Sequence, residues 1–263
     1  MTCPELFQDV PAFIAEILAR RGVASTQELE LKLKHLLAPS LKGLNEAIQL
    51  MDAAIDQQHK IVIVGDYDAD GATSTALMIL ALREMGAQVE YLVPDRFKYG
   101  YGLTPAIADL AFTSFTPDLL ITVDNGISSH DGVKQAQDHG MQVIITDHHL
   151  TTKPTPSAQA VVNPNQLGCD FPSKALAGVG VAFYVLANLS TYRKKLHKSS
   201  AVMSQYLDLV ALGTYADVAS LDYNNRILVD VGLKRIQQHL CRPGISALLE
   251  IAGREAASLK AQD

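Results

Sequence analysis

Apolar positions change their period along the chain. Short β-branched runs, Ile61-Val62-Ile63-Val64, 89–93, Leu119–Val123, 143–146 and 160–162, alternate with stretches whose apolar residues recur every three or four positions. The runs predict five strands, the first over 61–65. The stretches between them predict helices over 73–85, from Thr104-Pro105 to about Phe112, and from Ser128 or Ser129 to Gly140. Threonine followed by proline is a helix start, with the hydroxyl as cap and the missing N–H at a position that needs none. Strands alternating with helices of this length predict an α/β fold, a doubly wound and mainly parallel five-stranded sheet with flanking helices.

The flanks read as helical. Phe13, Ile14, Ile17 and Leu18 give one apolar face to a helix over 10–20, closed by Arg21-Gly22. Ser25 or Thr26 can cap a second helix, with Glu28 in its first turn and Leu29, Leu33, Leu36 and Leu37 on its apolar side. A third runs over 44–57. Residues 1–60 are therefore expected to form a helical cap, and 61–263 the domain that carries the chemistry. Beyond Leu176 the pattern predicts helices over 176–189, 206–212, 229–239 and 245–253. The basic run Arg193-Lys194-Lys195-Leu196-His197-Lys198 between them reads as a solvated loop.

Bulk properties narrow the class. With 263 residues, 48% hydrophobic and 19% charged, the chain can bury a substantial core. No run of about 18 apolar residues occurs, so no membrane span is expected. Met1-Thr2-Cys3-Pro4-Glu5 lacks the basic and apolar regions of a signal peptide, and Cys3, Cys169 and Cys241 are too scattered for a zinc cluster. A cytoplasmic protein is expected. A net charge of −6 argues against a strongly basic nucleic-acid binder. It leaves room for a nucleic-acid enzyme whose bound cations offset its carboxylates.

The chemistry gathers at strand ends. After the first strand come Gly65-Asp66-Tyr67-Asp68-Ala69-Asp70-Gly71. Side chains two apart share a side of an extended chain, so the three acids can converge. Their mutual repulsion asks for a cation, and carboxylate oxygens suit magnesium or manganese. An EF-hand loop is excluded, since its twelfth position, counted from Asp66, is Leu77. Capping aspartates, or a nucleophilic carboxylate forming a phospho-aspartate, remain open. The third strand ends in Asp124-Asn125-Gly126 and the fourth in Asp147-His148-His149. Parallel strands bring these ends to one edge, where α/β sheets bind ligands. Asp124, on a strand expected between the first and fourth, is the candidate to bridge two ions.

Six ordered motifs carry a resemblance: 65–75, Gly100-Tyr101-Gly102-Leu103, 123–127, Asp147-His148-His149, Gly178-Val179-Gly180-Val181-Ala182 and 213–218. With them the chain resembles the DHH phosphoesterase superfamily, and within it the bacterial 5′-to-3′ exonucleases of single-stranded DNA. The resemblance implies two ions, Mn2+ or Mg2+. One would be held by Asp68 and Asp124, with Asp66 as a further ligand. The other would be held by Asp70, Asp124, His148 and Asp217. Val64 stands where many members carry a histidine. His149 would face the scissile phosphate, Asp147 would orient a histidine, and the ions would acidify a water for in-line attack. Arg96, Tyr99 and Tyr101 would contact the substrate strand, the tyrosines stacking on bases. Single-stranded DNA is the implied partner, with a helicase or single-strand-binding protein in the full-length protein. The resemblance also implies a second domain, DHHA1, and an oligonucleotide-binding fold beyond Asp263, so weak processive activity is expected from these residues alone. Other members act on short oligonucleotides, cyclic dinucleotides or pyrophosphate. A non-catalytic scaffold is a further alternative, although such a relative should have lost ligands that are present here.

Overall fold

The computed structural model describes residues 10–260. Cys3 lies outside them, as does the segment read for a signal peptide. Five strands, β1 (Lys60–Gly65), β2 (Gln88–Leu92), β3 (Leu119–Val123), β4 (Gln142–Thr146) and β5 (Ala160–Val162), form one sheet in the order β2-β1-β3-β4-β5. Every pairing is parallel. The crossovers from β1 to β2, from β2 to β3 and from β3 to β4 contain α3 (Ala69–Glu84), α5 (Pro105–Phe115) and α6 (His130–Asp138) respectively.

Strand residues alternate between two apolar layers, because successive side chains point to opposite faces. Ile61, Ile63, Leu119, Ile121 and Ile144 pack with α3, with α2 (Leu44–Asp56) and with α7 (Gly178–Lys195). Val62, Val64, Leu120, Val143 and Ile145 pack with Ile107, Ala108, Ala111, Val133 and Ala136 of α5 and α6. Both faces of the sheet are covered, which is why its strands read as unbroken apolar runs. Truncating one fully buried residue such as Ile63 to alanine costs about 3 kcal/mol. The larger layer continues into α8 (Leu207–Ala216), which α9 (Tyr223–Gln237) and α10 (Pro243–Ile251) support. Arg242, at the start of α10, bonds the fully buried Asp208 of α8.

Four expectations need correction. In α1 (Ala12–Arg20), Phe13 and Ile17 are exposed, and the buried contact is made by Ala15 with Val23, Val10 and Leu18. Residues 25–37 form two 3-10 turns, Thr26–Leu29 and Leu33–His35, rather than a helix. Ser25 makes no capping bond to the first turn, and Glu28 accepts from the Ala24 amide at 3.3 Å and pairs with Arg226. Distant side chains hold this segment. Tyr223 donates to the carbonyls of Gln27 and Glu30, and Asn224 accepts from the Leu37 amide.

Helix α3 starts four residues before Thr73, because Asp68 caps it by accepting from the Gly71 amide at 2.9 Å. Asp70 therefore sits in the first helical turn, not on an extended chain. Helix α7 runs on into the basic cluster as far as Lys195, and Leu196-His197-Lys198 form the turn that follows. Arg193 turns inward, where Asp52 and Asp56 of α2 pair with it, so only the exposed remainder of the run keeps the solvated character read from the sequence. α4 (Arg96–Tyr99) is a single turn inside the glycine- and tyrosine-rich loop, capped by Asp95.

Candidate metal centre

All the strand-end acids and histidines meet at the carboxyl edge of the sheet. The site sits where β1, β3 and β4 end side by side. Three groups of donor atoms lie there, each within 4.8 Å: Asp66, Asp68 and Asp124; Asp124, His148 and His149; and Asp70, His148 and Asp217. Asp124 belongs to two of them, and so does His148. The helix start after β1 splits the first motif. Asp66 and Asp68 stay on the β1 side, whereas Asp70 points under α7.

Asp70 is fixed by the first turn of α7. Its two oxygens accept from the Gly178 amide at 2.6 Å and the Val179 amide at 2.8 Å. These are two of the N–H groups that a helix leaves unpaired at its start. Gly178 is required by closeness, because a Cβ there would lie 2.7 Å from Asp124. A Cβ at Gly213 would lie 2.2 Å from the Thr73 hydroxyl and 3.2 Å from Asp70. Both glycines belong to motifs visible in the sequence. Their role, packing two helices onto the acids, was not readable there.

His148 Nε2 lies 3.1 Å from Asp124 Oδ1 and 3.8 Å from Asp70 Oδ2, and its Nδ1 lies 3.9 Å from Asp217. Asp217 follows the last turn of α8. Asp124 takes a left-handed backbone conformation, φ 61°, at the strand end. Its Oδ1 is buried with no aligned hydrogen-bond donor.

The electrostatics are those of acids lacking enough positive charge. Burial pushes Asp124 up to about 7 and Asp70 up to about 6, against the help of His148. Burial also raises Asp217. For His148, burial pulls the other way, but the carboxylates of Asp124, Asp70 and Asp217 outweigh it and lift the ring to about 9. A buried oxygen without a donor, raised acids and a mixed carboxylate–imidazole set fit a hard divalent cation such as manganese or magnesium.

Beside this cluster, Asp147 organises the histidine pair. Burial alone would raise its pKa, yet His149 and the amides bonded to it hold it below the usual carboxylate range. Its Oδ2 accepts from the Ile127 amide at 2.8 Å. Its Oδ1 accepts from both histidine amides and lies 2.7 Å from His149 Nδ1. That contact raises the His149 pKa and turns its Nε2 outward, 3.2 Å from the Tyr101 hydroxyl.

Arg96 reaches the site as well. It lies 3.2 Å from both oxygens of Asp66, with its guanidinium 3.5 Å above the Tyr67 ring. Tyr99 does not join them. Its half-buried ring packs on the Val62 layer. Tyr67 takes the place beside Arg96 and was missed. Its position between two acids of the motif was the only signal.

Residues 60–214, more than half of the chain, match the DHH family, N-terminal domain. The chain belongs to the DHH family. It is 51% identical over 267 residues to the single-stranded-DNA-specific exonuclease RecJ of Dickeya dadantii, an alignment covering 98% of this chain and 46% of that protein. The chain thus spans about half the length of the curated relatives it matches. Its structure is similar to that of RecJ from Thermus thermophilus in complex with Mn2+, with a TM-score of 0.79 and 33% identity over 99% of this chain and 36% of that one. The same protein in complex with Mg2+ gives a TM-score of 0.67 and 31% identity over 99% of this chain and 32% of that one.

Proposed function

We propose that this chain is the metal-bearing part of an exonuclease that releases 5′-mononucleotides from single-stranded DNA in repair and recombination. The observation that carries the reading is Asp124, a buried carboxylate shared by two donor groups at the end of the central strand. The similarity to RecJ supports the substrate and the direction of attack. Residues 61–263 form the catalytic domain in this reading, and 1–60 a cap, whose residues 27–37 bond to α9. The enzyme works in the cytoplasm with a helicase or single-strand-binding protein as partner. Among the described residues no helix is long and apolar enough to cross a membrane.

Asp66, Asp68 and Asp124 hold one divalent cation, and Asp70, Asp124, His148 and Asp217 the other. Bound there, two such ions acidify a water and neutralise charge on the phosphoryl oxygens. The remaining residues position and screen. Asp147 keeps a proton on His149 Nδ1, so the ring stands with Nε2 toward the cleft. When protonated at Nε2 as well, His149 donates to a nonbridging oxygen of the scissile phosphate and stabilises the charge that builds there. Tyr101 holds that nitrogen until substrate replaces it. Arg96 places a positive charge beside the entering strand.

The reading is tested with single-stranded oligonucleotides labelled at either end, incubated with the chain and Mn2+ or Mg2+. Mononucleotide release from the 5′ end, lost with a chelator and in Asp124→Ala, is the expected result. Preference for cyclic dinucleotides over longer strands, or hydrolysis that survives both treatments, would overturn it.

A further inference from the structure

The two histidines sit in a stretch with no regular structure. Among the described residues, no backbone–backbone hydrogen bond reaches either of them. All four of their backbone polar groups are held by three side chains. Asp147 takes both amides. The carbonyls go to asparagines beyond β5: Asn165 donates to His148 O at 2.6 Å, and Asn163 to His149 O at 3.0 Å.

The geometry points to Asn163 and Asn165 as positioning residues of the metal centre, Asn165 acting through His148 and Asn163 through His149. This inference rests on the proposed metal-dependent reaction at the same site.

Three features make these contacts a rigid clamp. Asn163 is fully buried, and its oxygen accepts from the Asn165 amide at 2.7 Å, so the two side chains are set by one turn. The turn is anchored to the sheet: Thr146 pairs with Val162, and the Asp147 amide donates to Val162 O at 3.1 Å. On its far side Lys174 donates to Pro164 O at 2.7 Å and to Cys169 O at 2.6 Å, and Asn165 also donates to Lys174 O. The three-residue strand β5 at the sheet edge, with Ala160 and Val162 buried in the core, ends directly before Asn163-Pro164-Asn165 and brings them alongside the histidines. A carbonyl losing its only donor leaves the backbone of a metal ligand free to rotate, and outer partners of this kind typically cost 10- to 100-fold in metal affinity.

The test uses Mn2+ titration followed by electron paramagnetic resonance, with no DNA present. Asn165→Ala is expected to weaken Mn2+ binding about tenfold or more. Asn165→Asp keeps the volume and loses the donor, and should do the same. Asn224→Ala, which removes the Tyr184 bond at 2.8 Å away from the histidines, is the control for general destabilisation. It should lower the melting temperature and leave Mn2+ affinity unchanged. In the Mg2+-loaded protein, imidazole 15N spectra should show the His148 ring perturbed in Asn165→Ala and the His149 ring in Asn163→Ala. Equal affinity in wild type and both Asn165 variants, or equal losses in Asn165→Ala and Asn224→Ala, would overturn the clamp. A clamp supported by these readouts in a chain that fails to cut single-stranded DNA would overturn the exonuclease reading and leave the positioning role intact.

Discussion

Two regions of this molecule gather aspartates in or near the interior, and they treat them in opposite ways. Beneath the sheet, Asp52 and Asp56 of α2 meet Arg193 at 2.5 and 3.1 Å and Lys198 at 2.8 and 2.5 Å. Two negative charges face two positive ones. The bond from Lys198 lowers the Asp56 pKa, and the bond to Asp52 raises that of Lys198. At the lip of the sheet, Asp66, Asp68, Asp70, Asp124 and Asp217 face Arg96, bound to Asp66 alone, and His148. There Asp70, Asp124 and Asp217 are pushed up. Acids matched by protein cations tie elements together. Acids left short of positive charge mark a place where a cation from solution binds.

The comparison breaks most directly at Asp124. Asp124→Ala should lower Mn2+ affinity about a thousandfold, since losing a shared carboxylate removes several kcal/mol of cation stabilisation. A titration of the folded variant checks this. Arg193→Ala should do the reverse. It leaves Asp52 half-compensated in the interior, lowers stability by about 3 kcal/mol and leaves Mn2+ affinity unchanged. Denaturant unfolding and the same titration read both effects.

The pH dependence of the metal-free protein sharpens the contrast. Asp70 and Asp124 have folded pKa values of about 6 and about 7, above the ordinary carboxylate value of 3.8. Their contribution to stability is full below about 4 and is lost as pH rises through those values. His148, lifted from 6.5 to about 9, contributes in the same sense, its share being lost as pH rises through 9. The metal-free melting temperature should therefore fall by about 5 °C between pH 5 and 8, and saturating Mg2+ should abolish the slope. Asp56, whose pKa is lowered, has the opposite sign: its contribution is present above 3.8 and is lost as pH falls.

The smallest expected effect lies in the turns that close the two helices. Val218 follows α8 with φ 56°, and His197 follows α7 with φ 57°. A β-branched residue tolerates that conformation worse than histidine does. Val218, largely exposed, loses little packing when replaced. Val218→Gly should raise stability by about 1 kcal/mol, a gain of roughly 2–4 °C, and His197→Gly by less.

Which parts were legible in the sequence follows from which signals are local. Leu119–Val123 and Ala160–Val162 form strands over the spans that their apolar runs predicted, because a strand buried on both faces leaves no polar residue to blur its ends. The strand-end acids were legible because parallel topology forces them to one edge. Residues 25–37 misled, since their leucines fit a helix while the bonds that shape the segment come from Tyr223, Asn224 and Arg226, nearly two hundred residues away. Arg193 misled for the same reason: a basic run looks solvated until the acids of α2 are placed beside it. Asp70 lies in the first turn of α3, where side chains two apart do not share a side as they do on an extended chain. It reaches the site because the first amides of α7 hold it there. Tyr99 and Tyr67 show the limit for loops, where composition alone does not say which ring turns inward.

Anomalous scattering from crystals grown with Mn2+ tests the central claim most directly. The account predicts two peaks at the carboxyl edge of the sheet, one among Asp66, Asp68 and Asp124, the other among Asp70, His148 and Asp217, with Asp124 touching both. A lip without peaks, or ions settling at Asp52 and Asp56 instead, would contradict it.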